Sequence, residues 1–273
     1  MYREYFRLRE EPFNVTPDPR FLYLTAQHRE ALNHLLYGIR QRKGFICLTG
    51  EVGTGKTTLC RALLRELSGP YHTALILNPV LSGTQLLRAI IEEFGIEAAR
   101  RDRLGYLSAL NEFLLKTSAA GHDAVLIIDE AQDMTVECLE QVRLLSNLET
   151  DCQKLLQIVL LGQPELRKKL ARPELRQLAQ RITVRFHLQT LDPTDTGAYL
   201  RHRVAVASEN AETPTIRFDA EAVDEIFRFS RGTPRLINAI GDKALLAGYV
   251  HQTGCIDRRL AQLAASELLK EAP

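Results

Sequence analysis

Short apolar runs alternate with amphipathic segments along the larger part of the chain. The runs lie near residues 45–49, 73–78, 124–129, 155–161 and 182–188. A run of roughly four to eight apolar residues between turn signals is typical of a strand that is buried on both faces. The segments between the runs have the apolar spacing of helices. The pattern therefore predicts an α/β fold in which helices cover both faces of a five-stranded parallel sheet.

The N-terminal region has a different pattern. Residues 1–24 contain Pro12, Pro17 and Pro19, which disfavour helix, among several aromatic residues. We expect this arm to be extended and to pack on the surface. Thr25 is a suitable N-cap for the helix that follows the arm.

Strand patterns stop after residue 191. Four segments with the apolar spacing of helices follow, near residues 194–207, 219–229, 234–250 and 257–270. They predict a small all-helical, bundle-like domain. We therefore divide the chain into an N-terminal arm with a base domain over residues 1–190, and a helical domain over residues 191–273.

The composition is typical of a cytoplasmic globular protein. Of the 273 residues 45% are hydrophobic, and the net charge of +1 gives no electrostatic reason to expect binding to nucleic acid or to an anionic membrane. Residues 1–7 lack the apolar core of a signal peptide, and no apolar run approaches the ~20 residues of a membrane span. The histidines have no metal-ligand spacing. Five cysteines without a C-x-x-C pair predict reduced thiols, at Cys47, Cys60, Cys138, Cys152 and Cys255.

A glycine-rich turn joins the first predicted strand to the next helix. It reads Gly-Glu-Val-Gly-Thr-Gly-Lys-Thr from Gly50 to Thr57, which is the G-x-x-x-x-G-K-T pattern of a phosphate-binding P-loop. Its backbone N–H groups and the positive end of the helix bind a polyphosphate. Lys56 would reach the β and γ phosphates, and the Thr57 hydroxyl would ligate Mg²⁺. ATP and Mg²⁺ are thus the predicted ligands, and the predicted nucleotide-binding residues here are Gly50, Glu51, Val52, Gly53, Thr54, Gly55, Lys56, Thr57 and Thr58.

Two carboxylates follow the apolar run that ends at Ile128. A buried strand that ends in acids needs a cation or a reaction to justify them. We expect Asp129 to hold Mg²⁺ through water, and Glu130 to orient and deprotonate the water that attacks the γ phosphate. The alternative is that these acids only cap the next helix. The chain contains no Asn-Lys-x-Asp motif, so nothing indicates a guanine nucleotide.

One strand and helix unit separates the two motifs, and this arrangement with its Asp-Glu pair resembles the AAA+ ATPases. Residues 232–238 are similar to the second sensor of that superfamily. The resemblance implies that the helical domain over residues 191–273 is a lid and that Arg235, at the start of a lid helix, contacts the γ phosphate. Arg181 is similar to the arginine finger that a neighbouring subunit inserts, which implies a homo-oligomer. Alternatives for the finger are Arg172, Arg176 and Arg185.

The resemblance also implies a polar first sensor at the end of the fourth strand. Gln163 stands at that position, and Asn147 is a second candidate inside a helical pattern. The arm aromatics Phe13, Phe21 and Tyr23 have two interpretations. They pack as apolar groups, or one of them stacks on adenine, as the corresponding segment does in related ATPases.

Residues 11–24, 28–32, 145–150 and 161–166 are similar to a narrower family. They resemble the ATPase domain of general secretion pathway protein A, the ExeA type, and its relatives in pilus and exosortase clusters. In that family a membrane helix and a periplasmic peptidoglycan-binding region usually follow the cytoplasmic ATPase, and the whole helps a secretin assemble through the cell wall. The resemblance implies secretion or envelope-assembly proteins as partners, and a cytoplasmic location, alone or as part of an inner-membrane protein.

A second class of function is a DNA-binding regulator similar to the transposition target selectors of the TniB and TnsC kind. Arg100, Arg101 and Arg103, with Arg258 and Arg259, are candidates for local phosphate contacts. The neutral overall charge predicts weak DNA binding or none. A polypeptide unfoldase ranks last, because the turn after the second predicted strand lacks the aromatic residue that threading ring ATPases place in their pore.

Overall fold

The computed structural model of the chain describes residues 1–14, 18–150 and 153–271. Among these residues, five strands form one parallel sheet in the order β2-β3-β4-β1-β5. The strands are β1 (Phe45–Gly50), β2 (Tyr71–Ile76), β3 (Asp123–Ile128), β4 (Leu156–Gly162) and β5 (Ile182–Leu188). The predicted α/β fold with a five-stranded parallel sheet is confirmed.

Helices connect the strands and make up most of the C-terminal part. In the described residues they are α1 (Tyr2–Tyr5), α2 (Ala26–Arg40), α3 (Lys56–Glu66), α4 (Gly83–Glu93), α5 (Arg103–Ala119), α6 (Val136–Leu145), α7 (Pro164–Leu170), α8 (Arg176–Arg181), α9 (Pro193–Ala207), α10 (Ala220–Ser230), α11 (Pro234–Val250) and α12 (Arg258–Glu271). Side-chain caps fix several starts, because an oxygen at the N-cap accepts from a backbone N–H that has no partner within the helix. Ser82 caps α4 in this way, and Thr135 caps α6.

The chain forms two compact units, of which the first holds the sheet. This base unit comprises residues 26–51 and 56–188. Every residue of β1 and of β4 is buried, as expected for central strands that are covered on both faces. Helix α2 approaches β1 so closely at Gly38 that an added Cβ would lie 2.6 Å from Cγ1 of Ile46. A side chain larger than hydrogen at Gly38 would therefore push α2 off the sheet.

The register of the sheet brings three strand ends together. Thr49 of β1 pairs with Gly162 of β4, and Ile128 of β3 pairs with Leu160. Because the three strands are parallel neighbours, the residues that follow them lie at the same edge of the sheet. One edge of the base unit's sheet therefore carries the start of the P-loop, the carboxylate pair and Gln163.

The second unit contains the arm and the C-terminal helices. This helical unit comprises residues 1–25, 52–55 and 189–273. The arm packs through its apolar side chains, because Phe6, Leu8, Phe13 and Phe21 are buried in the same core as the C-terminal helices. The arm therefore groups with residues 189–273 and not with the base. The expectation that the arm is extended is wrong at residues 2–5, which form α1, and at residues 19–21, which form a short 3₁₀ turn.

The helical unit also contains a short strand pair that the sequence pattern did not predict. Residues Arg217–Phe218 (β6) and Cys255–Ile256 (β7) pair in parallel. Two residues are too few to produce a visible strand pattern, so the helical periods around them dominated the prediction.

Two further sequence predictions concern membranes and thiols. In the part of the chain that the structure describes, every helix is too short or too polar to cross a membrane. Cys47, Cys60, Cys138 and Cys255 are free thiols. Cys152 lies outside the described residues, as does Pro17 of the arm.

Candidate active site

The P-loop places a buried ammonium group at the carboxyl end of β1. Lys56 opens α3, and its Nζ donates to the carbonyl oxygens of Gly50 at 2.8 Å and of Glu51 at 3.0 Å. Both partners are neutral, and burial lowers the pKa of Lys56 from its usual range. Gly53 and Gly55 have φ of +76° and +100°, which favour glycine over other residues. This buried cation in a glycine-rich turn fits a polyphosphate ligand.

The side chains of the P-loop differ in exposure. Glu51, Val52 and Thr57 are exposed, Thr58 is half-buried and Thr54 is buried. Exposed side chains are compatible with a loop that binds phosphate through its backbone N–H groups. The two predicted metal ligands nevertheless meet, because the Thr57 hydroxyl donates to Oδ2 of Asp129 at 2.9 Å.

Asp129 is a buried carboxylate whose hydrogen-bond partners are neutral. It is 2% exposed, and its Oδ1 accepts from the backbone N–H of Glu130 at 2.9 Å. Burial is the main reason why the pKa of Asp129 is raised. A carboxylate oxygen and a threonine hydroxyl are the hard oxygen ligands that suit Mg²⁺. The residues present thus fit the predicted ion, and the described ranges contain no group of three or more His, Cys, Asp or Glu that could hold a metal ion.

Glu130 begins a turn in a strained backbone conformation. Its φ of 51° and ψ of 37° lie in the left-handed region, which costs a residue other than glycine about 1–3 kcal/mol. Oε2 of Glu130 accepts from Nε2 of Gln132 at 2.8 Å and from Nε2 of Gln163 at 3.2 Å. Strain of this kind persists only where the surrounding contacts compensate for it.

The two first-sensor candidates lie in different places. Gln163 stands at the N-cap position of α7, directly after β4, and its side chain donates to Glu130. Asn147 follows α6, and its Oδ1 accepts from Nη1 of Arg181 at 2.6 Å. The structure therefore places Gln163 beside the Glu130 carboxylate, whereas Asn147, the second candidate, contacts Arg181.

Arg181, at the end of α8, is hydrogen-bonded to residues near the end of α6. Nη1 donates to Oγ of Ser146 at 2.7 Å and to the backbone oxygen of Arg143 at 3.3 Å, besides its bond to Asn147. The three competing arginines are exposed, at Arg172, Arg176 and Arg185. The homo-oligomer and the role of Arg181 as its arginine finger both stay predictions.

Arg235 lies beside the tip of the P-loop within the helical unit. It is the second residue of α11, and a Cβ added to Gly53 would lie 2.8 Å from Cβ of Arg235 and 3.2 Å from Cγ2 of Thr233. The residue at position 53 must therefore be glycine for steric reasons as well as for its positive φ.

The three arm aromatics contact residues of the helical unit, and two of them are buried. Phe13 packs over Gly241, where an added Cβ would lie 2.9 Å from the ring, and the Phe21 ring lies 4.5 Å from the guanidinium carbon of Arg203. Both are buried, so they serve the core of the helical unit. Tyr23 is half-buried and makes an edge contact with Tyr199.

Sequence reasoning missed one residue of this site, Gln132. Its side chain is 8% exposed and bonds to Glu130 and to the backbone of Gln163. The sequence signal that could have indicated a role for Gln132 is its position two residues after Glu130. A glutamine in a turn is usually exposed, however, and the sequence alone does not indicate its burial.

Comparisons with known proteins bear on the family and the fold of the chain. A family model described as an AAA domain matches residues 39–170. The chain is 46% identical to general secretion pathway protein A of Aeromonas hydrophila over 98% of its own length, and it spans about half (48%) of that protein. The predicted resemblance to the ATPase domain of this protein is confirmed.

Solved structures share the fold at low sequence identity. Aeropyrum pernix ORC2 in its ADP form has a TM-score of 0.68 and 16% identity, over 96% of this chain and 73% of that chain. The Thermotoga maritima RuvB Holliday junction branch migration motor has a TM-score of 0.57 and 19% identity, over 88% of this chain and 69% of that chain. At such identities the likeness shows the fold alone, which is the P-loop AAA+ fold predicted from the sequence.

Proposed function

We propose that this chain, an AAA-domain relative of general secretion pathway protein A, binds MgATP and hydrolyses it within a homo-oligomer. The observation that carries the proposal is the meeting of four groups at one edge of the sheet: the Lys56 ammonium, the Thr57–Asp129 pair, the Glu130 carboxylate and the Gln163 amide. Phosphoryl transfer needs little from a protein beyond positioning and electrostatic stabilisation, and these groups supply both.

Lys56 and the P-loop backbone bind the triphosphate. In the structure the Lys56 ammonium bonds to two backbone carbonyl oxygens. Phosphate oxygens are stronger acceptors because they are charged, so Lys56 exchanges a carbonyl partner for the β and γ phosphates when ATP binds. We include Arg235 in the proposal as a further phosphate contact, because it lies beside Gly53.

Thr57 and Asp129 would hold Mg²⁺, which supplies charge neutralisation between the β and γ phosphates. Glu130 accepts the proton of the attacking water, and Gln163 orients that water or the Glu130 carboxylate. The hydrogen bond of 3.2 Å between the Gln163 amide and Glu130 supports the second of these possibilities for Gln163.

The cellular process proposed for this ATPase is the assembly of a secretion or envelope-export apparatus. Its support is the 46% identity to general secretion pathway protein A, which extends over 98% of the chain. Hydrolysis at the interface between two subunits, with Arg181 acting on the neighbour's nucleotide, would convert ATP turnover into a conformational change of the oligomer.

Two substitutions separate binding from chemistry. We expect Lys56→Ala to lose MgATP binding, because the phosphate charge then has no buried cation to bind. We expect Glu130→Gln to bind MgATP with near-normal affinity but to hydrolyse it at least ~100-fold more slowly, because the amide cannot accept the proton. Equilibrium titration with a fluorescent ATP analogue measures binding, and phosphate release measures turnover.

The ion pair between Lys116 and Glu112 provides matched controls. These two residues of α5 lie one helical turn apart and are mostly exposed. Lys116→Ala and Glu112→Gln make the same chemical changes away from the site, so both should retain binding and turnover. Normal hydrolysis by Glu130→Gln would refute its role as the base, and normal binding by Lys56→Ala would refute the phosphate site.

A further inference from the structure

The Gln132 side chain connects the ends of two neighbouring strands. Its Oε1 accepts from the backbone N–H of Gln163 at 3.0 Å, just after β4. Its Nε2 donates to Oε2 of Glu130 at 2.8 Å and to Oδ2 of Asp133 at 3.1 Å, in the turn after β3. A backbone N–H can only donate and an ionised carboxylate can only accept, so the partners define which way the amide points.

This connection is buried and has little freedom. Gln132 is 8% exposed, and a Cβ added to Gly162 would lie 3.1 Å from its Oε1. On the other side of the turn, Nζ of Lys169 donates to the backbone oxygen of Gln132 and, at 2.6 Å, to that of Met134. The turn after β3 is thus fastened to α7 both through the Gln132 side chain and through its backbone.

The same contacts determine where the Glu130 carboxylate lies. A glutamate side chain has three rotatable bonds and would otherwise sample several positions in a turn. The amides of Gln132 and Gln163 both donate to Oε2 of Glu130, so Oε1 is the oxygen that would accept a proton from water. The shorter of the two bonds, at 2.8 Å, comes from Gln132.

We propose that Gln132 is a positioning residue that holds the Glu130 carboxylate for attack and couples its position to the N-terminus of α7. The inference rests on the proposed function, in which Glu130 acts on the attacking water. A base displaced by about 1 Å loses roughly 100-fold in rate, so the contribution of Gln132 should be visible in turnover and not in nucleotide affinity.

Two substitutions at position 132 test this inference. Gln132→Glu has the same size but replaces the N–H donors with an acceptor that faces two other carboxylates, and Gln132→Ala removes the connection. We expect both to bind MgATP within about threefold of the native affinity and to lower kcat about 10- to 100-fold. Gln157→Glu is the matched control, because Gln157 is also buried and its Oε1 accepts from the Gly44 N–H at 2.9 Å, at the other end of β4. Its kcat should be unchanged.

A double-mutant cycle distinguishes positioning from general support of the fold. If Gln132 acts through Glu130, adding Gln132→Ala to Glu130→Gln should change the residual single-turnover rate less than about twofold. An additional loss of tenfold or more would overturn the inference, and so would normal kcat in both Gln132 variants while Glu130→Gln is slow. Normal turnover by Glu130→Gln would instead overturn the proposed function itself. The two failures are therefore separable.

Discussion

Arg203 provides a stringent test of how the arm is held. The side chain is 7% exposed, and its guanidinium donates from Nε to the carbonyl of Pro12 at 2.5 Å and from Nη2 to that of Asn14 at 2.8 Å. Its carbon lies 4.5 Å from the centre of the Phe21 ring. One residue of α9 thus binds three positions of the arm.

The cost of losing these contacts follows from the burial of their partners. Arg203→Met keeps an unbranched apolar side chain but removes every donor. Because Pro12 is buried, its carbonyl would lose its donor without access to water, at about 1–3 kcal/mol. The cation–π contact with Phe21 adds about 0.5–2 kcal/mol. We expect the docked arm to lose about 1.5–5 kcal/mol, which corresponds to a roughly 10- to 5,000-fold larger opening constant.

Hydrogen exchange followed by mass spectrometry measures this opening directly. Amides in residues 1–14 should exchange faster in Arg203→Met by the factor given above, whereas peptides from β1 and β4 should keep their native protection. Arg201→Met is the control, because Arg201 is an exposed arginine of the same helix. Native exchange of residues 1–14 in Arg203→Met would refute the conclusion that Arg203 holds the arm.

Three further predictions concern the nucleotide, the oligomer and DNA. Gly53→Ala should weaken MgATP affinity roughly 5- to 30-fold in an equilibrium titration, because a Cβ there meets Arg235 at 2.8 Å and has a left-handed φ; native affinity would contradict the packing of this turn. If Arg181 acts on a neighbour, specific activity should rise with protein concentration, and mixing Arg181→Ala with Glu130→Gln should restore turnover; activity that is independent of concentration, without rescue, would exclude that role. DNA binding near 0.15 M salt should be weak in an anisotropy titration, and DNA should not raise turnover in a phosphate-release assay. A DNA-organising ATPase with about six phosphate contacts would instead show DNA binding whose affinity falls by ~10³ as salt rises. Sub-micromolar binding would favour the transposition-type regulator.

The parts of the site that are close in sequence to a strand end could be predicted from the sequence. The P-loop, Asp129 and Gln163 each follow an apolar run directly, and parallel strands place such residues at one edge. The residue pattern of the P-loop and the carboxylates after an apolar run were enough to predict the first two, whereas Gln163 was implied by the resemblance to the AAA+ ATPases. That resemblance came from the strand and helix unit between the P-loop and the Asp-Glu pair, together with the pair itself.

Contacts between distant segments could not be predicted in this way. The bond from Arg203 to Pro12 joins residues 191 positions apart, and no local pattern marks either partner. Gln132 is only two residues from Glu130, but its role depends on burial beneath α7, which the sequence does not encode locally. Arg181 was recognised by its position in the chain, and its bonds to Ser146 and Asn147 required the packing of α8 on α6.

Helix α6 links the two features on which a cooperative ATPase would depend. It begins after Thr135, at the end of the turn that Glu130 opens, and Ser146 and Asn147 at its other end hold Arg181. An arginine that leaves these acceptors for a neighbour's phosphate would release the C-terminal end of α6. The N-terminal end of α6 is restrained separately, because Lys169 and Gln132 fasten the preceding turn to α7. Movement of Arg181 would therefore reach Glu130 only if it also disturbed the contacts of Gln132. The two sites are coupled if Gln132→Ala lowers kcat by a different factor in the Arg181→Ala background than in the native protein, and they are independent if the two factors are equal.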